Sequence, residues 1–464
     1  MLKLFSRYVP IKTVLLLVTE NVLITGTLAA LLQWWARPLV QDSDVAMVAL
    51  RVAFITLIFQ ISLFYNDLYD LSVVHTRSEL LIRTLQSFGV AGVLLSILFW
   101  MFPALVIGEG NYVVVIFLVI GVLFLLGWRT LVHFASRFYE TPRRLLVVGT
   151  GEVAVDLVKA LLERSDLNMK VVGFLGESDE QVGSVLVNPK VVGVTDQLEE
   201  LVESHNVDRV VVALSDRRNK LPVLALLNLK LRGVIIEDAH TLFENVTGKI
   251  RTTALPPSWL VFSEGFSALD RKVRLKQAFD FVLALVAAIL ALPFALVIPI
   301  LIKLDSAGPA LFRQDRVGYR GKTFKVTKFR TMRKDAEDLA GPQWATEDDP
   351  RITRIGRFLR KSRLDELPQI WNILKGDMSW VGPRPERPHF VAMLTEQLNY
   401  YAERHSVRPG LTGWAQTRYH YGSTVEDALE KLQYDLFYIK NLSFGLDLAI
   451  LFETGKIVLF GRGR

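Results

Sequence analysis

Residues 362–371 read SRLDELPQIW, which sets two adjacent carboxylates, Asp365 and Glu366, in a basic stretch. Arginine recurs at every third position around them, at Arg351, Arg354, Arg357, Arg360 and Arg363, and the triplet Pro383–Arg384–Pro385 follows. Nearby cations and the positive end of a helix both favour ionised carboxylates. Proline is tolerated in a helix's first turn, so Pro368 predicts a helix that starts near Asp365 and stops at Gly376. Two acids in a cationic pocket suit two jobs. One carboxylate can attack phosphorus, and the other can hold a proton or a metal. A helix cap with a surface salt bridge accounts for the same residues without any chemistry. On a helix the every-third spacing drifts around the barrel, so the five arginines cannot share one face. Some suit lipid headgroups and some suit phosphates, and a solvated basic face is the plain alternative.

The elements that must position these residues are partly apolar. The chain has 464 residues, of which 51% are hydrophobic, and a formal net charge of +7. That balance suggests a part in lipid, with the positive charge meeting anionic lipid and phosphate rather than nucleic acid. No cysteine is present, which excludes disulfides, thiolate metal sites and cysteine nucleophiles. Four apolar runs, near Val14–Trp35, Val45–Tyr65, Leu85–Ile107 and Tyr112–Val132, each approach the ~20 residues that span hydrocarbon. Trp100 and Trp128 read as an interfacial belt, and Arg51 and Arg129 as side chains that snorkel to the headgroups. Lys3, Arg7 and Lys12, then Arg77 and Arg83, then Arg137, Arg143 and Arg144 place the N-terminus and everything after the fourth run in the cytoplasm.

From 143 to 250 the pattern changes. RRLLVVGTGEVAVDLVKALLE reads as strand, glycine turn and helix, and KVVGFLG, DRVVVALS and LRGVIIE as further strands of a parallel sheet. Gly149 and Gly151 resemble the dinucleotide turn, where amides at a helix start hold a pyrophosphate, although tight strand-to-helix packing uses glycines equally. A linker with Pro256 and Pro257 precedes a fifth apolar run, Phe279–Leu304, with basic residues on both flanks. Pro293 sits at its centre. A helix bent there would enter and leave on one side, so a re-entrant hairpin is expected. The final apolar segment, near 443–464, reads as a helix on the membrane surface or in the core.

LDELPQIWNILKGDMSWVGPRPE, with KFRTM before it and RPGLTGWAQ after it, resembles the bacterial sugar transferase family of monotopic polyprenyl-phosphate phosphoglycosyl transferases. The resemblance covers about 274–464, and the arrangement is similar to that family's larger members. It implies a membrane protein built as a four-helix transmembrane bundle (1–140), a Rossmann-like α/β domain (141–255), a linker and re-entrant membrane helix hairpin (256–305) and an α/β catalytic domain (306–464). It implies transfer of a hexose 1-phosphate from a UDP-sugar to undecaprenyl phosphate with release of UMP, starting exopolysaccharide or O-antigen synthesis at the bacterial inner membrane. Asp365 would be the nucleophile of a covalent phosphosugar intermediate, Glu366 its dyad partner, Arg384 a phosphate ligand and Arg360 a neighbour of the lipid phosphate. Pro293 matches the family's helix-breaking proline, although Leu292 stands where serine is common. Gln416, Trp414 and Asp435 fall in recurring family stretches near the site.

Physical reasoning runs alongside. Phosphoryl transfer spreads its charge over cations and usually Mg²⁺, with Asp365 the metal ligand expected here. Arg384 between two prolines pre-sets a guanidinium fork, and Lys328, Arg330 and Arg408 suit the diphosphate similarly. The partners are then a UDP-sugar, undecaprenyl phosphate and membrane lipid, with no nucleic acid and a homodimer as an option. The rival readings put function in the middle domain, as a membrane-tethered nucleotide-sugar epimerase or reductase, or as a nucleotide-binding sensor. No tyrosine lies between Arg143 and Arg251, so the Tyr-x-x-x-Lys chemistry of such enzymes lacks its acid/base.

Overall fold

The computed structural model describes residues 2–4, 7–35, 45–70, 77–103, 111–139, 142–214, 221–253, 255, 259, 263, 265–266, 269–333, 351–419, 422 and 424–460. Pro256 and Pro257 of the expected linker lie outside them. The chain forms two compact units, Met1–Leu242 and Phe243–Arg464.

The first unit opens with a short antiparallel hairpin, β1 (Leu2–Leu4) and β2 (Arg7–Val9). Four apolar helices follow: α1 (Ile11–Trp35), α2 (Val45–Tyr65), α3 (Arg77–Met101) and α4 (Asn111–Tyr139). Each satisfies its own backbone, which is what hydrocarbon demands of a spanning segment. Helix α2 matches its apolar run, while α1 and α4 extend beyond theirs because polar ends continue the same hydrogen-bond ladder. Phe59, Leu63, Leu68, Ala91 and Leu125 are buried between them, while Leu50, Val93 and Leu123 are exposed on the outside.

Two expectations fail inside this bundle. Arg129 does not snorkel: it is 6% exposed, pairs with Glu20 at 2.6 Å and donates to the Leu68 carbonyl at 2.7 Å. Trp128 is not a belt residue alone, because its indole N–H donates to Thr19 Oγ1 at 2.9 Å. A buried guanidinium is tolerable only when its donors are used, and Glu20 supplies the charge that hydrocarbon withholds.

After the bundle come β3 (Arg143–Val148), α5 (Glu152–Glu163), β4 (Met169–Gly176), β5 (Val191–Val194), α6 (Leu198–Ser204), β6 (Arg209–Val212), α7 (Val223–Leu231) and β7 (Ile235–Asp238). The five strands form one all-parallel sheet in the order β5-β4-β3-β6-β7. The first strand is central and Leu145–Val148 are fully buried, as a strand covered on both faces requires. The short strand β5 escaped the sequence reading because VVGV is brief and carries a glycine. Helix α8 (Ala239–Thr247) crosses the boundary between the units.

The second unit begins with α9 (Leu269–Asp305), a continuous helix that contains both Pro293 and Pro299. Each proline removes one backbone bond and leaves the rest of the ladder in place, so Pro293 does not end the helix. Then follow the hairpin β8 (Leu311–Val317) and β9 (Thr323–Phe329), α10 (Arg354–Lys361), a 3₁₀ turn at Leu364–Glu366, α11 (Gln369–Lys375) and β10 (Ser379–Val381). The unit closes with α12 (Pro388–Gln397), β11 (Gly410–Thr412), α13 (Trp414–Arg418), α14 (Val425–Lys440) and α15 (Phe444–Phe460). Its main core gathers Val381, Trp414, Leu436, Phe437, Tyr438 and Ile450. In α15, Leu446 and Ile450 are buried while Phe444, Leu448 and Phe452 are exposed on the other face, so one helix serves the core and still presents an apolar stripe.

Candidate active site

The dyad sits in a break between two helices. Arg363 adopts a left-handed conformation (φ 56°) that turns the chain out of α10 and into the 3₁₀ turn. Such a conformation is uncommon for a residue with a side chain and is held here by its surroundings. Pro368 then precedes α11, whose C-terminus is closed by Gly376 at φ 83°, so the expected stop is met, while the helix expected to start near Asp365 starts at Gln369 and leaves both carboxylates in the separate turn before it. Only Arg354, Arg357 and Arg360 of the arginine series lie on α10, while Arg351 precedes it and Arg363 follows it.

Both carboxylates are 9% exposed. Glu366 Oε1 accepts from Lys328 Nζ at 2.8 Å and from Arg384 at 3.4 Å. Burial pushes its carboxyl up, but Lys328, Arg384 and Arg363 outweigh that and hold it down at about 2. Glu366 is therefore the fixed counter-ion that anchors two cations, and it is poorly suited to carry a proton. Asp365 differs. Burial first, and then the charge on Glu366, push its carboxyl above the usual range, while Lys328, Arg363 and Arg360 pull it back. Its Oδ1 is buried and has no hydrogen-bond partner among the described residues.

The segment carrying Arg384 is clamped carbonyl by carbonyl. Pro383 O accepts from Gly410 N at 3.0 Å, Arg384 O from Arg404 at 3.0 Å and Pro385 O from Arg316 at 3.0 Å. The clamp depends on glycines. Strands β10 and β11 run parallel, and a Cβ on Gly410 would strike the backbone nitrogen of Gly382. Backbones this close leave no room for a side chain.

The structure thus gathers Lys328, Arg384, Arg360 and Arg363 around the dyad and places other expected residues elsewhere. Arg330 donates to the Ser306 and Ala307 carbonyls just past α9, where a cation meets the negative end of a helix. Arg408 donates to Gly376 O at 2.6 Å, at the far end of α11. Asp435 is 2% exposed and is used by Arg404 at 2.8 Å, so it reaches Arg384 only through that partner. Trp414 is a core residue whose indole donates to Gly248 O at 2.7 Å. Gln416 lies beside Gly413, which packs on Gly382, and its buried Oε1 lacks a partner.

Two residues escaped the sequence reading. Asn372 donates to Lys325 O at 2.8 Å and accepts from Thr327 N at 3.1 Å, locking α11 to the strand that carries Lys328. An asparagine within the apolar run QIWNILK was the available signal. Gln369, 4% exposed, has a buried amide nitrogen without a partner among the described residues, one turn after Asp365. In the first unit, Gly149 (φ 112°) packs against the Ala213 backbone, and Gly151 caps α5.

Asp365 Oδ1 offers one open oxygen, and among the described residues no cluster of three or more acidic or histidine side chains could cage a metal. That set fits Mg²⁺, which takes most of its ligands from water and substrate phosphates.

Residues 271–461 match the family described as bacterial sugar transferase, and residues 65–228 match a CoA-binding domain family. The exopolysaccharide production protein PSS of Rhizobium leguminosarum bv. phaseoli is 46% identical over 185 residues, which is 39% of this chain and 92% of that protein. The chain belongs to the bacterial sugar transferase family. Within this family, the UDP-N-acetylgalactosamine-undecaprenyl-phosphate N-acetylgalactosaminephosphotransferase of Aeromonas hydrophila is 44% identical over 189 residues, 41% of this chain and 44% of that one. The UDP-glucose:undecaprenyl-phosphate glucose-1-phosphate transferase of Escherichia coli (strain K12) is 45% identical over 184 residues, 39% of each. The match to these larger sugar transferases thus spans less than half of their length, and the part of this chain that matches the family, 271–461, holds the dyad.

Proposed function

We propose that this sugar transferase moves a hexose 1-phosphate from a UDP-sugar to undecaprenyl phosphate at the inner face of the bacterial cytoplasmic membrane. This would be the first step of exopolysaccharide or O-antigen synthesis. The observation that carries this reading is Asp365, a buried carboxylate with an open oxygen amid Lys328, Arg360 and Arg363.

In the first half-reaction an Asp365 oxygen attacks the phosphorus that bears the sugar. The bond from that phosphorus to the bridging oxygen breaks, and UMP leaves with the oxygen. In the second, an oxygen of undecaprenyl phosphate attacks the same phosphorus, the bond to Asp365 breaks, and the polyprenyl diphosphate sugar departs. A carboxylate lifted above its ordinary range is the better nucleophile while it stays ionised, and the three cations pull against that rise. Arg384 and Lys328, held by Glu366, receive the charge that develops on the phosphoryl oxygens. Asp365 is the residue that would hold Mg²⁺, and the ion would supply charge neutralisation for the donor.

Helix α9 supports the membrane-side part of this reading. Its start packs on the catalytic core through Val273 and Asp280, and its end through Ile298 and Ile302. Between them Leu285, Ile289, Leu290 and Leu296 are exposed. Ala284, Ala287, Ala288 and Ala291 also pack on that domain, and a helix held along one face by one domain, with an exposed apolar face around Pro293, supports entry and exit on a single side. Exposed Phe358 and Trp371, on the helices that flank the dyad, suit the same lipid surface.

The test is UMP release from a panel of UDP-hexoses and UDP-N-acetylhexosamines by membranes containing the chain, with undecaprenyl phosphate and Mg²⁺. At least one sugar should give UMP, and Asp365→Asn should lose both turnover and the covalent sugar-phosphate adduct. An Asp365→Asn variant of normal activity would remove the nucleophile.

A further inference from the structure

One buried charge cluster in the second unit takes no part in the chemistry above. Lys276 and Asp280 lie on α9 at the start of its apolar run, and Asp447 lies on α15. Lys276 Nζ bridges Asp447 at 2.7 Å and Asp280 at 3.5 Å. Ser379 Oγ donates to Asp280 Oδ2 at 2.6 Å, and Trp380 Nε1 donates to the Asp280 carbonyl at 3.1 Å. Tyr438 donates to Asp447 at 2.7 Å and lies 3.0 Å from Val381 O. Beside the cluster, Phe279 meets Phe444 edge-on at 4.6 Å. Ser379, Asp447 and Asp280 are 1%, 3% and 4% exposed.

All three residues of β10 (Ser379, Trp380 and Val381) therefore bond to this cluster, and β10 runs straight into Gly382–Pro383–Arg384. The segment that carries the phosphate-binding arginine is bolted to the helix that enters the lipid. Bonds of this kind define one arrangement, because a slip of α9 would strand buried charges without partners. On the proposed transferase reading, the donor meets groups inside the catalytic domain, where Gly410, Arg404 and Arg316 clamp the Arg384 segment without using any residue of α9. The acceptor arrives along the membrane, at a depth fixed by how α9 is seated. A displacement near 1 Å is enough to cost a reaction heavily.

We propose that Asp280 and Ser379 are positioning residues that set the depth of the dyad relative to the lipid phosphate, and so act on the acceptor half-reaction. The chain has no cysteine, so Ile289→Cys gives a single spin-label site in the exposed middle of α9. In nanodiscs, the full chain with Ser379→Ala should show a changed label depth by oxygen and nickel relaxation. Its KM for undecaprenyl phosphate should rise fivefold or more. The UMP burst from UDP-sugar without acceptor should stay within twofold of the parent. A merely structural role would lower burst and acceptor transfer together, and that result, or an unchanged depth and KM, overturns the proposal. Should Ser379→Ala fail to accumulate, Tyr438→Phe removes the neighbouring bonds and is read in the same way. If the parent releases no UMP from any UDP-sugar, the transferase reading falls, while the label depth still decides this inference.

Discussion

Glu366→Gln tests whether the dyad is an electrostatic unit, because it removes one charge and keeps the shape. In the fold this carboxyl is lowered from 4.5 to about 2, against burial, by Lys328 and Arg384. At about 1.4 kcal/mol per tenfold, that preference for the charged form is worth about 3 kcal/mol. The carboxyl is depressed on folding, so this stability is present above about pH 4.5 and is lost as pH falls toward 2. For a unit spanning Phe243–Arg464, about 3 kcal/mol corresponds to roughly 6–12 °C in Tm. Thermal unfolding of parent and variant in matched nanodiscs should show that gap at pH 7.5, and the gap should narrow once pH drops below about 4.5. The variant should also move the acid limb of kcat/KM for the UDP-sugar to lower pH, because Asp365 loses the negative neighbour that helps to raise it. A Tm gap that stays constant from pH 7.5 to 3.5, or an acid limb that moves upward, would refute the reasoning.

The remaining predictions concern the scaffold and the topology. Gly410→Ala forces a Cβ into the Gly382 backbone and should cost at least about 3 kcal/mol. Limited proteolysis should find the second unit opened in that variant, and wild-type resistance would show that the crossing can yield. A single cysteine introduced in the α14–α15 connection, at Asn441, should react with an impermeant maleimide only after intact cells are opened. Labelling from outside would place the catalytic unit on the wrong face of the membrane.

Much of the chemistry was legible because it is contiguous. Asp365, Glu366, Pro368 and Gly376 lie within a dozen residues, and local rules fix the helix and its stop, while its start falls at Gln369 rather than near Asp365. The membrane helices and most of the parallel strands were legible because hydrocarbon and a doubly covered sheet both impose long apolar patterns. What spacing could not reveal is which cation reaches the dyad. Lys328 and Arg330 are two residues apart, yet the chain leaves β9 after Phe329, so strand alternation no longer places Arg330, and it turns to α9 instead.

The sequence by itself determined that two acids, a run of arginines and helix-stopping prolines and glycines sit near long apolar helices, since these properties belong to residues and their neighbours. Tertiary structure alone decided that Glu366 is an anchor and Asp365 the open oxygen, that Asp435 supports Arg384 through Arg404, and that Glu20 neutralises Arg129 from 109 residues away. A charge takes its role from the groups that share its low-dielectric surroundings, and only folding selects which groups those are.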